Sequence, residues 1–221
     1  MSVEEVFEGV YRIDGKLATK NLAKGKKVYN EELIAHKGVE YRTWNPYRSK
    51  LAAAISKGLS DLKIKEGTKV LYLGAATGTT PSHISDIVGD KGEVFCIEIA
   101  ERSMRDLLKL CETRNNILPI LQDARNTAAY SEDVGKVDVI YQDVSAKDQD
   151  DILLRNSEML KKNGLAYVAI KSQSIDVSKR PKEVYDTFLA NVAKRFELMQ
   201  AINIIPFDEL HLFVVLKKKE D

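Results

Sequence analysis

Disulfides are the first thing this sequence cannot rely on, because its 221 residues hold only two cysteines. Cys96 falls in a predicted strand and Cys111 at a predicted helix end, so both read as buried apolar groups of a reduced protein. The histidines, His36, His83 and His211, share no ligand spacing with either thiol, and no metal site is expected. No run of about 18 apolar residues occurs, so nothing is built to span a membrane. The first residues, Met1 to Glu5, are acidic and lack the apolar stretch of a secretory signal, which predicts a cytoplasmic protein. An excess of one charge is missing too. Lysine and arginine number 34 against 33 aspartates and glutamates, a net charge of +1. That excludes a global basic field, so any RNA affinity must come from a local patch or from partners. Repeats and low-complexity tracts are absent as well. What is present is a hydrophobic content of 44%, enough for one full α/β domain with a small appendage.

The chain is organised around Val70 to Thr80. Val70 to Leu73 form a short apolar run that reads as one buried strand, ended by Gly74. Gly78 follows in a loop of small residues, Ala75, Ala76 and Thr77. Thr80 and Pro81 then read as the N-cap and first residue of a helix. Strand, small-residue loop and helix in that order hold nucleoside-containing cofactors, with bare backbone and a helix N-terminus facing the ligand. A dinucleotide fingerprint would need a third glycine where Ala76 stands. A second predicted strand, Glu93 to Ile99, carries Glu98 at its end, placed to accept both hydroxyls of a ribose. A third, Ile117 to Leu121, leads into Gln122-Asp123-Ala124, where Asp123 can accept from an adenine amino group. A glycine loop, a ribose acid and an adenine acid without a phosphate clamp point to S-adenosyl-L-methionine rather than a dinucleotide.

Residues 1–45 read as a small antiparallel β unit. Val6, Phe7, Val10, Tyr11 and Ile13 precede the turn Asp14-Gly15; Leu17 begins a second run, and Val28-Tyr29 follow a lysine-rich turn. Its lysines, Lys16, Lys20, Lys24, Lys26 and Lys27, are either a phosphate-facing stripe or guards of an exposed sheet edge. Residues 46–221 read as the cofactor-dependent domain. Asn45 and Pro46 look like the start of an alanine-rich helix reaching Leu59. Aromatics interleave there with Arg42, Arg48 and Lys50, either a nucleic-acid clamp or an ordinary docked helix. Helices are then expected from Pro81, over Glu101–Cys111 with Met104, Leu107 and Leu108 inward, over about 148–161 stopped by Asn163-Gly164, and over Pro181–Phe196. Strands are expected at Val137–Tyr141, Leu165–Ile170, Glu197–Ile205 and His211–Leu216, with a frayed tail from Lys217 to Asp221. Alternation implies a doubly wound parallel sheet, and the short last link an antiparallel hairpin. This is the Rossmann-like class I methyltransferase sheet.

Ligands in such sheets sit outside the carboxyl ends of the strands. Asp143 and Lys171 both fall there, on neighbouring strands. Lysine is almost never inside unless paired, and a lysine near apolar walls or another cation can remove a proton. Asp143 would hold its ammonium or orient the cofactor. Ser82, His83 and Asp86 have the residue types of a hydrolase triad, but their spacing on one helix forbids the required chain of hydrogen bonds.

At these residues the sequence resembles the fibrillarin family, in its archaeal form. The resemblance covers essentially the whole chain. It rests on Tyr41-Arg-Thr-Trp-Asn-Pro with Ser49-Lys50, on Leu73 to Thr80, and on Asp123-Ala124-Arg125. Asp143-Val144 with Asp148-Gln149, Ile170-Lys171 and Ser174-Ile-Asp176 continue it. The resemblance implies a catalytic tetrad of Lys50, Asp143, Lys171 and His211. It implies cofactor contacts from Gly74, Ala75, Ala76, Thr79, Thr80, Glu98, Asp123, Ala124, Asp143 and Gln149. It further implies RNA-guided ribose 2′-O-methylation of rRNA and tRNA, with a Nop-domain scaffold protein, a box C/D guide RNA and its kink-turn-binding protein. Lys171 would be the general base. Two departures stand out: Ser145-Ala146-Lys147 replaces the family's Ala-Gln-Pro, and Leu210 stands where an acid usually precedes the histidine. The rival readings are a small-molecule O-methyltransferase and a non-catalytic scaffold subunit.

Overall fold

The structure, a computed structural model, describes residues 1–220. Three tight reversals build the first sheet, at Glu8-Gly9, Asp14-Gly15 and Lys37-Gly38. In the last two both residues have positive φ (44° and 85°, 48° and 81°), the twist that suits a two-residue hairpin. They connect β1 (Val3–Phe7), β2 (Val10–Ile13) and β3 (Lys16–Lys20), and β4 (Leu33–His36) to β5 (Val39–Thr43), in the spatial order β1-β2-β3-β5-β4. The hairpin of β4 and β5 is absent from the sequence reading. The expected run Val28-Tyr29 is not a strand: both N–H groups donate to the Glu31 carboxylate, at 2.9 and 2.7 Å, instead of to a ladder.

The chain then forms α1 (Lys50–Ser56), β6 (Lys69–Leu73), α2 (Thr79–Val88), β7 (Glu93–Glu98), α3 (Glu101–Cys111) and β8 (Ile117–Leu121). It continues through α4 (Ser131–Val134), β9 (Val137–Gln142), α5 (Gln149–Asn156), β10 (Leu160–Lys171), α6 (Ser172–Ile175), α7 (Pro181–Val192), β11 (Phe196–Asn203) and β12 (His211–Lys218). The second sheet has seven strands in the order β11-β12-β10-β9-β6-β7-β8. Strands β6 to β10 pair in parallel, and β12 is antiparallel to both β10 and β11. This is the expected Rossmann-like architecture behind a small antiparallel sheet. Alternate residues feed two cores: Tyr72, Tyr141, Tyr167 and Phe213 pack on one face, and Leu71, Leu73, Ile140 and Val168 on the other.

Several element ends differ from the sequence reading, each for a local reason. Asn45 does not cap a helix; its Oδ1 accepts the Tyr47 N–H at 2.9 Å in a turn, and Ser49 caps α1 by accepting from Ala52. Gly78, not Thr80, is the N-cap of α2, at φ 91°, with Thr80 and Pro81 inside the first turn. Leu108 is exposed, and Leu110 completes the buried face of α3 with Met104 and Leu107. Helix α5 ends at Asn156; Asn163 (φ 60°) and Gly164 instead lie in a break of register within β10. Helix α7 ends at Val192, so Phe196 opens β11. The expected tail is strand as far as Lys218, whose buried ammonium donates to the Ser157 and Leu160 carbonyls; Asp221 lies outside the described residues. Cys96 is fully buried, and burial pushes the Cys111 thiol up to about 11. Among the described residues no helix is long and apolar enough to cross a membrane.

Candidate active site

Three strand ends and one helix start converge beside Gly74. Asp143 follows β9, and its N–H donates to the Leu73 carbonyl at 2.9 Å, which continues the β6–β9 ladder past the last paired residue. Lys171 is the last residue of β10, and the antiparallel register puts His211 directly across from it. Lys50 is the first residue of α1, fixed by a cap that is itself held: Thr80 Oγ1 donates to Ser49 Oγ at 3.0 Å. The side chains meet on Asp143. Lys171 Nζ lies 2.8 Å from Asp143 Oδ1 and Lys50 Nζ 3.1 Å from the same oxygen, and Lys50 also donates to Oδ2 at 3.2 Å. Lys171 Nζ donates further to the Asp143 carbonyl at 2.8 Å and to Ser145 Oγ at 3.1 Å. Two ammonium groups thus share one carboxylate, leaving one positive charge in excess.

His211 is half-buried, and burial holds its imidazole below the ordinary value; Asp208 works against that shift, and Lys50 and Lys171 add to it. His211 Nδ1 sits 2.6 Å from Asp208 Oδ2. The two family departures therefore acquire a geometry. Asp208, rather than residue 210, stands beside His211, and Ser145 Oγ accepts from Lys171 Nζ.

A cleft of about 380 Å³ opens next to this cluster, a volume ordinary for a small-molecule site. Gly74, Ala76, Glu98, Asp123, Ala124, Asp143 and Lys171 line it. Ala76 is held in the left-handed region, φ 48°, by its N–H donating to Glu98 Oε2 at 2.7 Å; Glu98 Oε1 accepts from Ala100 at 2.8 Å. Asp123 pairs with Arg125, which also grips Asp148 through two bonds of 2.7 and 2.8 Å. Ile99, 62% exposed, adds an apolar wall beyond Glu98, and Val144 and Ala146 add another. The sequence reading named Val144 and Ala146 only as parts of motifs and placed none of the three among the cofactor contacts. Strand β7 ends at Glu98, one residue earlier than expected, which leaves Ile99 outside it.

Other candidates stand elsewhere. Ala75 is buried under the loop, and Thr80 is turned to Ser49. Thr79 lies on the far side of the glycine loop, away from the cleft. Gln149 is fully buried behind Lys171: its Oε1 accepts the Lys171 backbone N–H at 3.2 Å, and its amide donates to the Ala146 carbonyl.

Arg42 is no nucleic-acid clamp. It is completely buried, beside Glu31 and Asp86 at 3.3 and 3.4 Å, and it donates to Ser82 Oγ. His83 and Asp86 share that network, bridged by the Thr19 hydroxyl at 2.8 and 2.7 Å, so Ser82, His83 and Asp86 form a buried support rather than a triad. Of the lysine stripe, Lys16 pairs with Glu32 and Lys20 lies over the Tyr11 ring, whereas Lys26 and Lys27 line a groove together with residues of α3.

The fibrillarin family model matches residues 1–220. A fibrillarin-like rRNA/tRNA 2′-O-methyltransferase of Methanocaldococcus jannaschii is 47% identical over 222 aligned residues, covering 97% of this chain and 96% of the relative. The crystal structure of Aeropyrum pernix fibrillarin, described with natively bound S-adenosyl-L-methionine, superposes with a TM-score of 0.91 at 44% identity over 98% of both chains. A fibrillarin from a fibrillarin/Nop5p complex gives 0.89 at 39% identity, over 97% of this chain and all of that one. This chain belongs to the fibrillarin family.

Proposed function

We propose that the protein is the catalytic subunit of a box C/D ribonucleoprotein, transferring methyl from S-adenosyl-L-methionine to ribose 2′-hydroxyls of rRNA and tRNA. The observation that carries this reading is the meeting of Lys50, Asp143 and Lys171, within 2.8–3.2 Å, at the edge of a cleft with two strand-end carboxylates. Glu98 and Asp123 suit the ribose and the adenine of the cofactor, and Ile99, Val144 and Ala146 suit the faces of its base. The bound cofactor supplies a sulfonium-activated methyl group. Asp143 orients Lys171, and Lys171 takes the proton of the substrate 2′-hydroxyl as its oxygen attacks. Lys50 remains on Asp143, so the carboxylate stays paired when Lys171 gives up a proton to solvent. His211, paired with Asp208, stands across from Lys171 on the neighbouring strand. Such a base contributes roughly 10²–10⁴-fold, and alignment of the reacting atoms much of the rest.

A Nop-domain scaffold protein, a box C/D guide RNA and its kink-turn-binding protein complete the particle, in the cytoplasm of an archaeal cell. The near-neutral charge of the chain favours such recruitment over RNA binding by the chain alone. The test is methylation of a guide-matched RNA by the reconstituted particle. Lys171→Ala should lose methyl transfer while cofactor affinity, read by calorimetry, is retained. Transfer at the normal rate by that variant would remove Lys171 as base. Transfer to a small acceptor without guide RNA would favour the small-molecule enzyme.

A further inference from the structure

The glycine loop has two sides, and only one faces the cofactor cleft. On the other, Thr77 and Thr79 line a second groove of about 470 Å³. Its walls carry Lys26 and Lys27 from the loop between β3 and β4 and Arg48 from the loop before α1, and, from α3, Asp106 with Lys109, which pair with each other at 2.9 Å. Lys26, Lys27 and Arg48 are exposed, and none has an ion-pair partner among the described residues. Arg48 lies over the Tyr29 ring at 5.3 Å, a contact that consumes none of its N–H donors. Elsewhere on this chain lysines are commonly paired, as in Lys16–Glu32, Lys69–Glu93 and Lys161–Asp138. Unpaired cations gathered around one concavity repel one another, and an anion seated between them relieves that repulsion.

We propose that this groove holds backbone phosphates of the RNA strand beside the methylated nucleotide. The proposal rests on the RNA methyltransferase reading and adds to it a place on this chain where the substrate is gripped. Position selects RNA as the occupant. Arg48 stands two residues before Lys50, and Ser49 between them is bonded to Thr80, next to the groove residue Thr79. Groove and proton-accepting cluster are therefore parts of one rigid unit. An A-form duplex displays its 2′-hydroxyls in a wide, shallow minor groove flanked by phosphates. A base that takes a 2′-hydroxyl proton without unpairing the strand then needs cations a short way along the backbone. The hydroxyls of Thr77 and Thr79 add neutral donors for phosphate oxygens.

The experiment compares the reconstituted particle carrying Lys26→Glu with Lys27→Glu, or Arg48→Glu, with the unaltered particle. The probe is a guide-matched RNA, read by fluorescence anisotropy and by methyl transfer over a range of salt. The expected result is RNA affinity at least about tenfold weaker near 0.15 M salt, and a salt slope shallower by roughly one for each phosphate contact removed. KM for RNA should rise, kcat at saturating RNA should hold, and scaffold binding should be unchanged. Lys162→Glu with Lys194→Glu, the same charge change at the opposite rim of the sheet, should leave affinity and slope as they were. Unaltered affinity and slope in the groove variants would overturn the proposal. So would weakening traced entirely to lost scaffold binding, since an acidic protein surface would then be the occupant. Anisotropy is read apart from methyl transfer. A particle that binds RNA through the groove yet transfers no methyl refutes the enzymatic reading alone, and an active particle indifferent to the groove refutes the groove alone.

Discussion

Gly74 and Asp143 meet backbone to backbone at the head of β6 and β9. A Cβ at Gly74 would lie 2.9 Å from the Asp143 carbonyl oxygen and 3.1 Å from its carbonyl carbon, and φ there is +82°. That oxygen accepts from Lys171 Nζ at 2.8 Å. The glycine at the end of the first parallel strand therefore sets where the Asp143 backbone sits, and through it the Lys171 amine.

Gly74→Ala should accordingly damage catalysis more than folding. The left-handed backbone and the tight contact should cost about 1–3 kcal/mol of stability. Because the strain is relieved by moving Asp143, methyl transfer should fall at least about a hundredfold, as proton transfer loses its geometry. Thermal unfolding and single-turnover methylation together check it. A variant of normal activity would show that the Asp143 carbonyl does not locate Lys171.

Glu98 carries two burdens, holding the Ala76 and Ala100 N–H groups while facing the cleft. A carboxylate has acceptor capacity for both N–H groups and for ribose hydroxyls; an amide has less. Glu98→Gln should keep the fold and weaken S-adenosyl-L-methionine binding at least about tenfold, the loss of a charge-assisted hydrogen bond. Glu98→Ala should weaken it further, because Ala76 at φ 48° then loses the bond that holds it in the left-handed region. Isothermal titration calorimetry reads both.

Much of the cleft was legible from the chain alone because parallel strands deliver their last residues to one rim. Asp143, Lys171, Glu98 and Asp123 follow apolar runs and need only that rule to be brought together. Lys50 was not legible from its own neighbourhood, since Asn45-Pro46 imitates a helix start and the cap that matters, Ser49, is selected by Thr80 from another element. Asn163-Gly164 likewise imitates a helix stop but serves a break of register within β10. The stretch around Arg42 stayed open between a nucleic-acid clamp and a docked helix because its partner Glu31 comes from across the small sheet and Asp86 only from the docking of that sheet on α2. Local signals mark ends and turns; pairings across elements are outside their reach.

The docking network also sets a pH dependence. His83 is fully buried, with Nε2 beside the Tyr29 hydroxyl at 2.7 Å and Arg42 Nη2 at 3.2 Å, and Nδ1 on Thr19. Burial, with Arg42 and Arg114 nearby, drives its imidazole well below the ordinary value near 6.5. Above that value both folded and unfolded chains carry a neutral ring. As pH falls below about 6.5 the unfolded chain binds a proton that the folded one refuses, so stability declines by at most about 1.4 kcal/mol per pH unit from this group. Chemical denaturation between pH 7.5 and 5 (~2.5 units of the scale) should show this decline, and His83→Gln should flatten it while lowering stability at neutral pH. An unchanged slope in that variant would place the sensitivity elsewhere.

Gln149 offers the sharpest separation of positioning from cofactor binding. It has no exposure, its Oε1 receives the Lys171 N–H, its amide reaches the Ala146 carbonyl, and its own carbonyl receives the Gln142 amide. It therefore ties the end of β10 to the loop that carries Asp143 and Ser145. Gln149→Leu keeps the volume but leaves the Lys171 N–H and the Ala146 carbonyl without partners, at a cost of about 1–3 kcal/mol in stability. If Gln149 acts through Lys171, kcat should fall roughly tenfold or more while the dissociation constant for S-adenosyl-L-methionine stays within about twofold. A direct contact with the cofactor would give the reverse, weak binding with kcat largely kept. The two outcomes are read from one titration and one saturation curve, and Gln149→Glu, which keeps the Oε1 acceptor, should recover part of kcat only in the first case.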